Sequence, residues 1–279
     1  MQVIHMPLVI VFIMNAMLPE TPLPQPGLAA QAAAQARQAG RPAVVAVTDR
    51  VGNVLAVLRM TGAPGLASIP KASDGSQQDV QGVSVPAEAA AIAKAITGAY
   101  LSSGGNAFST RTASMIVQPH FPPAPSTTGL ESGPLFGVQF SQLPCSDLAA
   151  RLAPGPAVQI GPKRSPLGLS ADPGGFPLYK NGAVVGGVGV LADGGYGFDA
   201  NVLDVDSDLD ERIALAGTVG FEAPLEVRAN RISLDGTLLR YTDAGLQIYY
   251  DGQNYSASGP LIKRTGVRAV RGIEVDTLN

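Results

Sequence analysis

The chain has 279 residues, room for one large domain or two modest ones, and 46 % of them are apolar, which allows a full core and excludes global disorder. A net charge of −3 speaks against nucleic acid as a main partner, since phosphate binding needs a basic surface. The 33 Gly and 23 Pro call for many turns and long loops, and the single Cys excludes both an intrachain disulfide and a cysteine-based metal cluster.

Residues 1–26 form an apolar run, Met6–Leu18, followed by an extended linker with prolines at 19, 22, 24 and 26. The run is too short for a membrane-spanning helix, which needs about 20 apolar residues. It reads as a degenerate export signal, implying an exported or periplasmic protein, or as an apolar helix packing on the domain or on a neighbouring chain. Gly27–Gly40, rich in Ala and Gln, is a predicted helix. It leads into a predicted hairpin: strands Val44–Thr48 and Val54–Met60 flank a loop, Asp49–Asn53, whose Gly52 can take positive φ.

Gly65–Val85 is polar and reads as a loop. Pro86–Leu101 has the start signals of a helix, with Pro first, Glu88 in the first turn, and Ala89, Ile92, Ala93 and Ile96 on one face. Phe108–Val117 fits either a strand or a short helix, because periodicity does not separate them. The Pro-rich stretch Gln118–Pro134 argues against regular structure; Leu135–Phe140 suits a short strand and Ser146–Leu152 a helical turn. Cys145 lies between them and is read as a buried small hydrophobe or as a thiol at a helix start. Long loops of this kind (Ala153–Ser170 is another) point to function or to an oligomer interface.

Leu178–Lys180 and Val184–Leu191 flank Asn181-Gly182, the strongest short hairpin signal a sequence carries. The two hairpins imply a mainly antiparallel sheet assembled from two ends of a domain, flanked by helices, hence an α+β type within the α/β class. Gly186-Gly187-Val188-Gly189 lies inside the last strand, where glycine marks close approach of another element or a ligand. After Asp199 comes an acidic run ending at Glu211, then a predicted helix, Leu209–Val219. Beyond residue 221, Ile232–Leu234, Thr237–Tyr241 and Leu246–Tyr250 alternate like strands, with a turn at Asp235-Gly236 and a last strand near Gly272–Val275. The predicted division is 1–26, a domain at 27–221, and a small β-rich extension at 222–279.

Few residues suggest chemistry. Gly-x-Ser-x-Gly and His-Glu-x-x-His are absent, so no nucleophile–base set stands out and a non-enzymatic protein is expected. The run Asp204–Glu211 begins like a calcium loop, but Leu209 stands where a sharp turn needs Gly and Leu215 where Glu is needed. Capping of the next helix, with Asp206, Ser207 or Asp208 as N-cap and Asp210 and Glu211 against the dipole, explains the same residues. His120, between prolines, is a candidate metal ligand for haem iron or a polar loop residue packed between prolines. Arg59, Lys94 and Arg111 are candidates for binding the carboxylates of an anionic ligand, or they form surface ion pairs.

Four stretches resemble a known family. VVAVTDRVGNVLAVLRMTGAP at Val44–Pro64 is similar to the first hairpin of the GlcG/HbpS-like haem-binding proteins, and the segment from Gly174 to its last hairpin. Lys94-Ala95-Ile96-Thr97-Gly98 resembles the family's Lys-Ala-x-Thr-Ala helix, with Gly98 in place of Ala, and Gly133-Pro134-Leu135-Phe136-Gly137 its central Gly-Pro-Leu segment. The resemblance covers roughly residues 40–220, with the blocks in the family's order. It implies an antiparallel sheet flanked by helices, a homo-oligomer, and haem or a related small molecule as ligand, with redox or haem sensing or storage as roles. Its alternative implication is an enzyme or accessory protein acting on small 2-hydroxy or keto acids; a structural oligomer is the remaining reading. The central insertions prevent carrying over the family's iron ligand.

Overall fold

The structure, a computed structural model, describes residues 27–71, 82–118, 120–121, 132–133, 135, 167–197, 199, 201–202, 204–234, 236–244 and the backbone of 261–262. Met6–Leu18, Cys145, Ser146–Leu152, Leu246–Tyr250, Gly272–Val275 and all of Leu135–Phe140 except Leu135 lie outside the described residues.

Helix α1 (Gly27–Gln38) turns Leu28, Ala32, Ala33 and Ala36 inward, and the chain then enters β1 (Val44–Asp49) and β2 (Val54–Met60). Their connection is held by Asp49, whose carboxylate accepts the backbone N–H groups of Val51 and Asn53, while Gly52 takes φ +80°. The second hairpin, β5 (Gly175–Lys180) and β6 (Ala183–Leu191), turns at Asn181 and Gly182 with φ of 51° and 77°. Positive φ at both positions is the twist-matched turn that Asn-Gly favours.

The two hairpins join edge to edge. β1 pairs antiparallel with β6 from Val44↔Leu191 to Asp49↔Gly186, giving the order β5-β6-β1-β2. A two-residue strand, Leu261–Ile262, adds to the outer edge at Arg59 and Met60. The protein thus has the expected α+β architecture, an antiparallel sheet with helices on both faces.

Helix α2 (Ala87–Tyr100) lies across β5, β6 and β1. Added Cβ atoms at Gly187 and Gly189 would strike the α2 carbonyls of Ala95 and Ala91, so the strand glycines mark a close helix–strand contact and no phosphate loop. Val188 points to the opposite face, toward Gly217 at the end of α4 (Leu209–Ala216), which packs on α1. Helix α2 is more buried than one apolar face requires: Ala89 through Ala99 are all buried, Lys94 included.

Two other readings change. The Gly65–Val85 segment expected to be a loop contains β3 (Leu66–Ser68) and β4 (Ser84–Pro86), an antiparallel pair that buries Ala67 and Val85. Three-residue strands with a single inward side chain leave no periodicity to detect. The ambiguous Phe108–Val117 segment is a helix, α3 (Thr110–Ile116), decided by a capping box between Ser109 and Thr112. The short strands β7 (Ser233–Leu234) and β8 (Thr237–Leu238) pair antiparallel, with Gly236 between them at φ 77°, and Tyr241 beyond them meets Phe176 edge-on at 5.4 Å between ring centroids.

Candidate functional site

Lys94 is the one charged residue in the buried part of α2, and a buried ammonium needs carboxylates around it. It has two. Its Nζ donates to Asp210 Oδ2 at 2.6 Å and contacts Asp172 Oδ2, with no exposed surface on the lysine side chain. Asp172 comes from the loop before β5 and Asp210 from the first turn of α4. The other oxygen of Asp210 accepts the N–H groups of Ala192 (2.7 Å) and Asp193 (3.2 Å), and that of Asp172 accepts the N–H of Gly197 (2.8 Å).

Burial opposes the charge on Lys94, but the two carboxylates outweigh it and raise its pKa. One cation cannot neutralise both acids. Burial, against the pull of Lys94 and with mutual repulsion, lifts Asp172 to about 8, and burial lifts Asp210 to about 7. Burial thus favours the protonated form of each acid, against the attraction of the one ammonium. Asp210, with two backbone donors, is the better anion of the two.

A second cluster surrounds Arg111 on α3. Its guanidinium meets Glu211 at 3.3 Å, Asp199 at 3.0 Å, Asp206 at 2.7 Å and Asp243 at 3.6 Å, while only 1 % of the side chain is exposed. Burial disfavours the Arg111 charge, yet Glu211 and Asp206 raise its pKa; burial likewise raises Asp199 and Glu211. Arg240 pairs with Asp243 at 2.7 Å and donates to the carbonyls of Val202 and Asp204, tying the segment after β8 to this cluster.

Helix capping accounts for the acidic run only in part. Asp208 is the N-cap and accepts the Glu211 N–H, whereas Asp210 and Glu211 turn inward to Lys94 and Arg111. The carboxylates of Asp199, Asp204 and Asp206 lie within 4.8 Å of one another, and Arg111 supplies positive charge to Asp199 and Asp206. A depression of about 510 Å³ opens beside them, lined by Arg41, Asp193, Asp206, Ser207, Asp208 and Leu209. Its polar, acidic lining does not match the broad apolar face of haem.

Three of the four candidate ligand-binding residues engage carboxylates of the chain itself. Lys94 and Arg111 are buried with carboxylates of the chain itself. Arg59, in β2, pairs with Glu88 at the start of α2 at 2.6 Å, its side chain 14 % exposed. His120 is half-buried just after α3, which packs on α2 and β5. Strands β6 and β1 separate β5 from β2, about 14 Å at the usual strand spacing.

The backbone preceding His120 is firmly seated. Gln118 donates to the carbonyls of Ser114 (2.7 Å) and Asp199 (2.9 Å), Gly133 donates to the Gln118 carbonyl (2.9 Å), and Leu135 donates to Ile116 (3.1 Å). Gly133 sits so close to the Ile116 carbonyl that a Cβ would overlap it. Phe121, next to His120 in the chain, and Leu135 pack partly on the core.

Asp172, Asp199, Asp210, Glu211 and Asp243 carry the site's charge but were not singled out as site residues by the sequence. The available signal was Lys94 itself: a lone cation in a helix of Ala and Ile that is buried all round demands acidic partners.

No protein-family model matches the chain, and no curated protein matches it. Solved structures do. The PduOC–haem complex shares 19 % identity over 71 % of this chain and 91 % of that one, with a TM-score of 0.38. Klebsiella pneumoniae protein ORFY, described under the family model DUF336, shares 19 % over 74 % and 95 %, with a TM-score of 0.38. A double mutant of Streptomyces reticuli HbpS shares 21 % over 75 % and 94 %, with a TM-score of 0.35. The chain is similar to these proteins at a low level of fold likeness.

Proposed function

We propose that this chain is a non-enzymatic small-ligand-binding protein that takes haem, with His120 as the axial ligand. One observation supports the reading: three of the four sequence blocks that resemble the haem-binding family, and the described residues Gly133 and Leu135 of the fourth, lie in a single α+β unit. The two hairpins share a sheet through β1 and β6, Lys94 and its block lie on that sheet in α2, and Gly133 packs against the segment that leads to His120. When bound, the group would supply an iron centre, and the His120 imidazole would be the side chain that holds it. The chain's own part is to present the imidazole from a backbone fixed by Gln118, Gly133 and Leu135. In this reading Lys94 and Arg111 are engaged by acidic residues of the chain itself and hold the frame. Arg59, the more exposed cation, is free to exchange Glu88 for a ligand carboxylate from a separate stretch of surface.

The test is a haem titration of the purified chain beside His120→Ala. A saturable Soret band that the variant loses or displaces supports the reading. A band unchanged in the variant keeps haem and discards His120. No band at micromolar haem refutes the proposal.

A further inference from the structure

We propose that Lys94 and Asp210 become joined by an intramolecular amide bond, with Asp172 as the group that moves the protons. The inference is independent of haem and rests on how the three side chains are placed.

An amine and a carboxyl condense when they are held together away from water, when charge developing on the carbonyl oxygen is stabilised, and when a third group carries protons. Each condition has a counterpart. Lys94 Nζ lies 2.6 Å from Asp210 Oδ2, with the lysine unexposed and Asp210 1 % exposed. Asp210 Oδ1 points at two backbone donors, Ala192 N–H and Asp193 N–H, so an oxyanion formed there is already hydrogen-bonded. Asp172 touches the same ammonium from the other side and is anchored by Gly197 N–H. Glycines allow this crowding: a Cβ at Gly174 would fall 2.7 Å from Asp210 Cβ, and one at Gly175 would strike the Lys94 carbonyl.

The nearby acids are otherwise engaged. Asp208 caps α4 through the Glu211 N–H, and Asp193 accepts the Gly195 N–H. The asymmetry between the two candidate acyl groups is clear: Asp210 has two backbone donors on its free oxygen, Asp172 one.

The reaction balances without an outside reagent. In the resting triad the lysine is an ammonium, one acid is ionised and the other is protonated. A proton passing from Nζ to the ionised acid, uphill because the carboxylates raise the Lys94 pKa, transiently leaves a neutral amine and two carboxylic acids in the buried site. The nitrogen lone pair adds to Asp210 Cγ, placing negative charge on Oδ1 between the two N–H donors. Asp172 donates its proton to Oδ2 and takes one from the nitrogen. The Cγ–Oδ2 bond then breaks, water leaves, and the amide remains with Asp172 protonated again. The link ties α2 to α4 across 116 residues of sequence.

Peptide mapping by mass spectrometry of the full-length chain tests this. Trypsin should leave residues 72–111 uncut after Lys94 and joined to residues 181–212, at the summed mass less one water. In Asp172→Asn the linked species should form at least about a hundredfold more slowly, the usual scale of a lost proton-transfer group. Cleavage after Lys94 with residues 181–212 at full mass would overturn the proposal. Linkage to residues 165–180 would overturn the choice of Asp210, and undiminished linkage in Asp172→Asn would overturn the role of Asp172. The map of the unaltered chain decides the main point even if the variant fails to fold.

Discussion

Gly98→Ala sets two effects against each other that the structure can rank. Gly98 lies within α2, where alanine would ordinarily stabilise a helix by about 0.5–1 kcal/mol. A Cβ there would stand 2.5 Å from the carbonyl carbon of Phe176, 2.7 Å from its oxygen and 2.7 Å from the Pro177 nitrogen. These are backbone atoms of β5, unable to swing aside as a side chain would, so helix and strand must separate. Overpacking of this kind costs about 1–3 kcal/mol, and a 2.5 Å approach to backbone belongs in the upper half of that range, leaving a net loss of about 1–2.5 kcal/mol after the helix gain is subtracted. Gly104→Ala is the control, since nothing lies within 4 Å of its Cβ. Urea denaturation with a fixed slope should lower the Gly98→Ala midpoint and barely move that of Gly104→Ala. A Gly98→Ala protein as stable as the parent would refute the close-approach argument for α2 and β5.

Arg111→Met should destabilise by about 3–5 kcal/mol, because it strands buried Glu211, Asp199 and Asp243 without their cation; Arg59→Met, at a single and less deeply buried pair, should cost less in the same denaturation assay, about 1–3 kcal/mol. Burial, against Arg111, raises the folded pKa of Glu211, so the native state binds more protons than the unfolded chain between the two values. Stability from this group is therefore full below the unfolded value of about 4.3 and falls as pH rises through the folded one. A pH series of urea midpoints should show a flatter decline for Glu211→Gln, and an unchanged slope would count against the assignment. Gly182→Ala should cost about 1–2 kcal/mol through its φ of +77° alone, since no atom lies within 4 Å of the new methyl; calorimetry of that variant checks it.

Much of the frame is local, and so it was legible. The Asn181-Gly182 turn, the Asp49–Asn53 loop, the apolar runs beside them and the Asp208 cap all depend on neighbours within a few residues. The four family-like blocks also carried their order in plain sequence. Tertiary structure alone decided the rest. Lys94 finds Asp210 across 116 positions and Arg111 finds Glu211 across 100, distances at which no periodicity links residues. The acidic run looked like capping because capping is a local property, whereas the inward turn of Asp210 and Glu211 depends on which helices lie opposite. The strand glycines signalled close approach without naming the partner; only the packed fold supplies Ala91 and Ala95 of α2. A chain specifies its turns and caps by short-range hydrogen bonds and torsions, but the partner of a buried charge is set only once the sheet has closed.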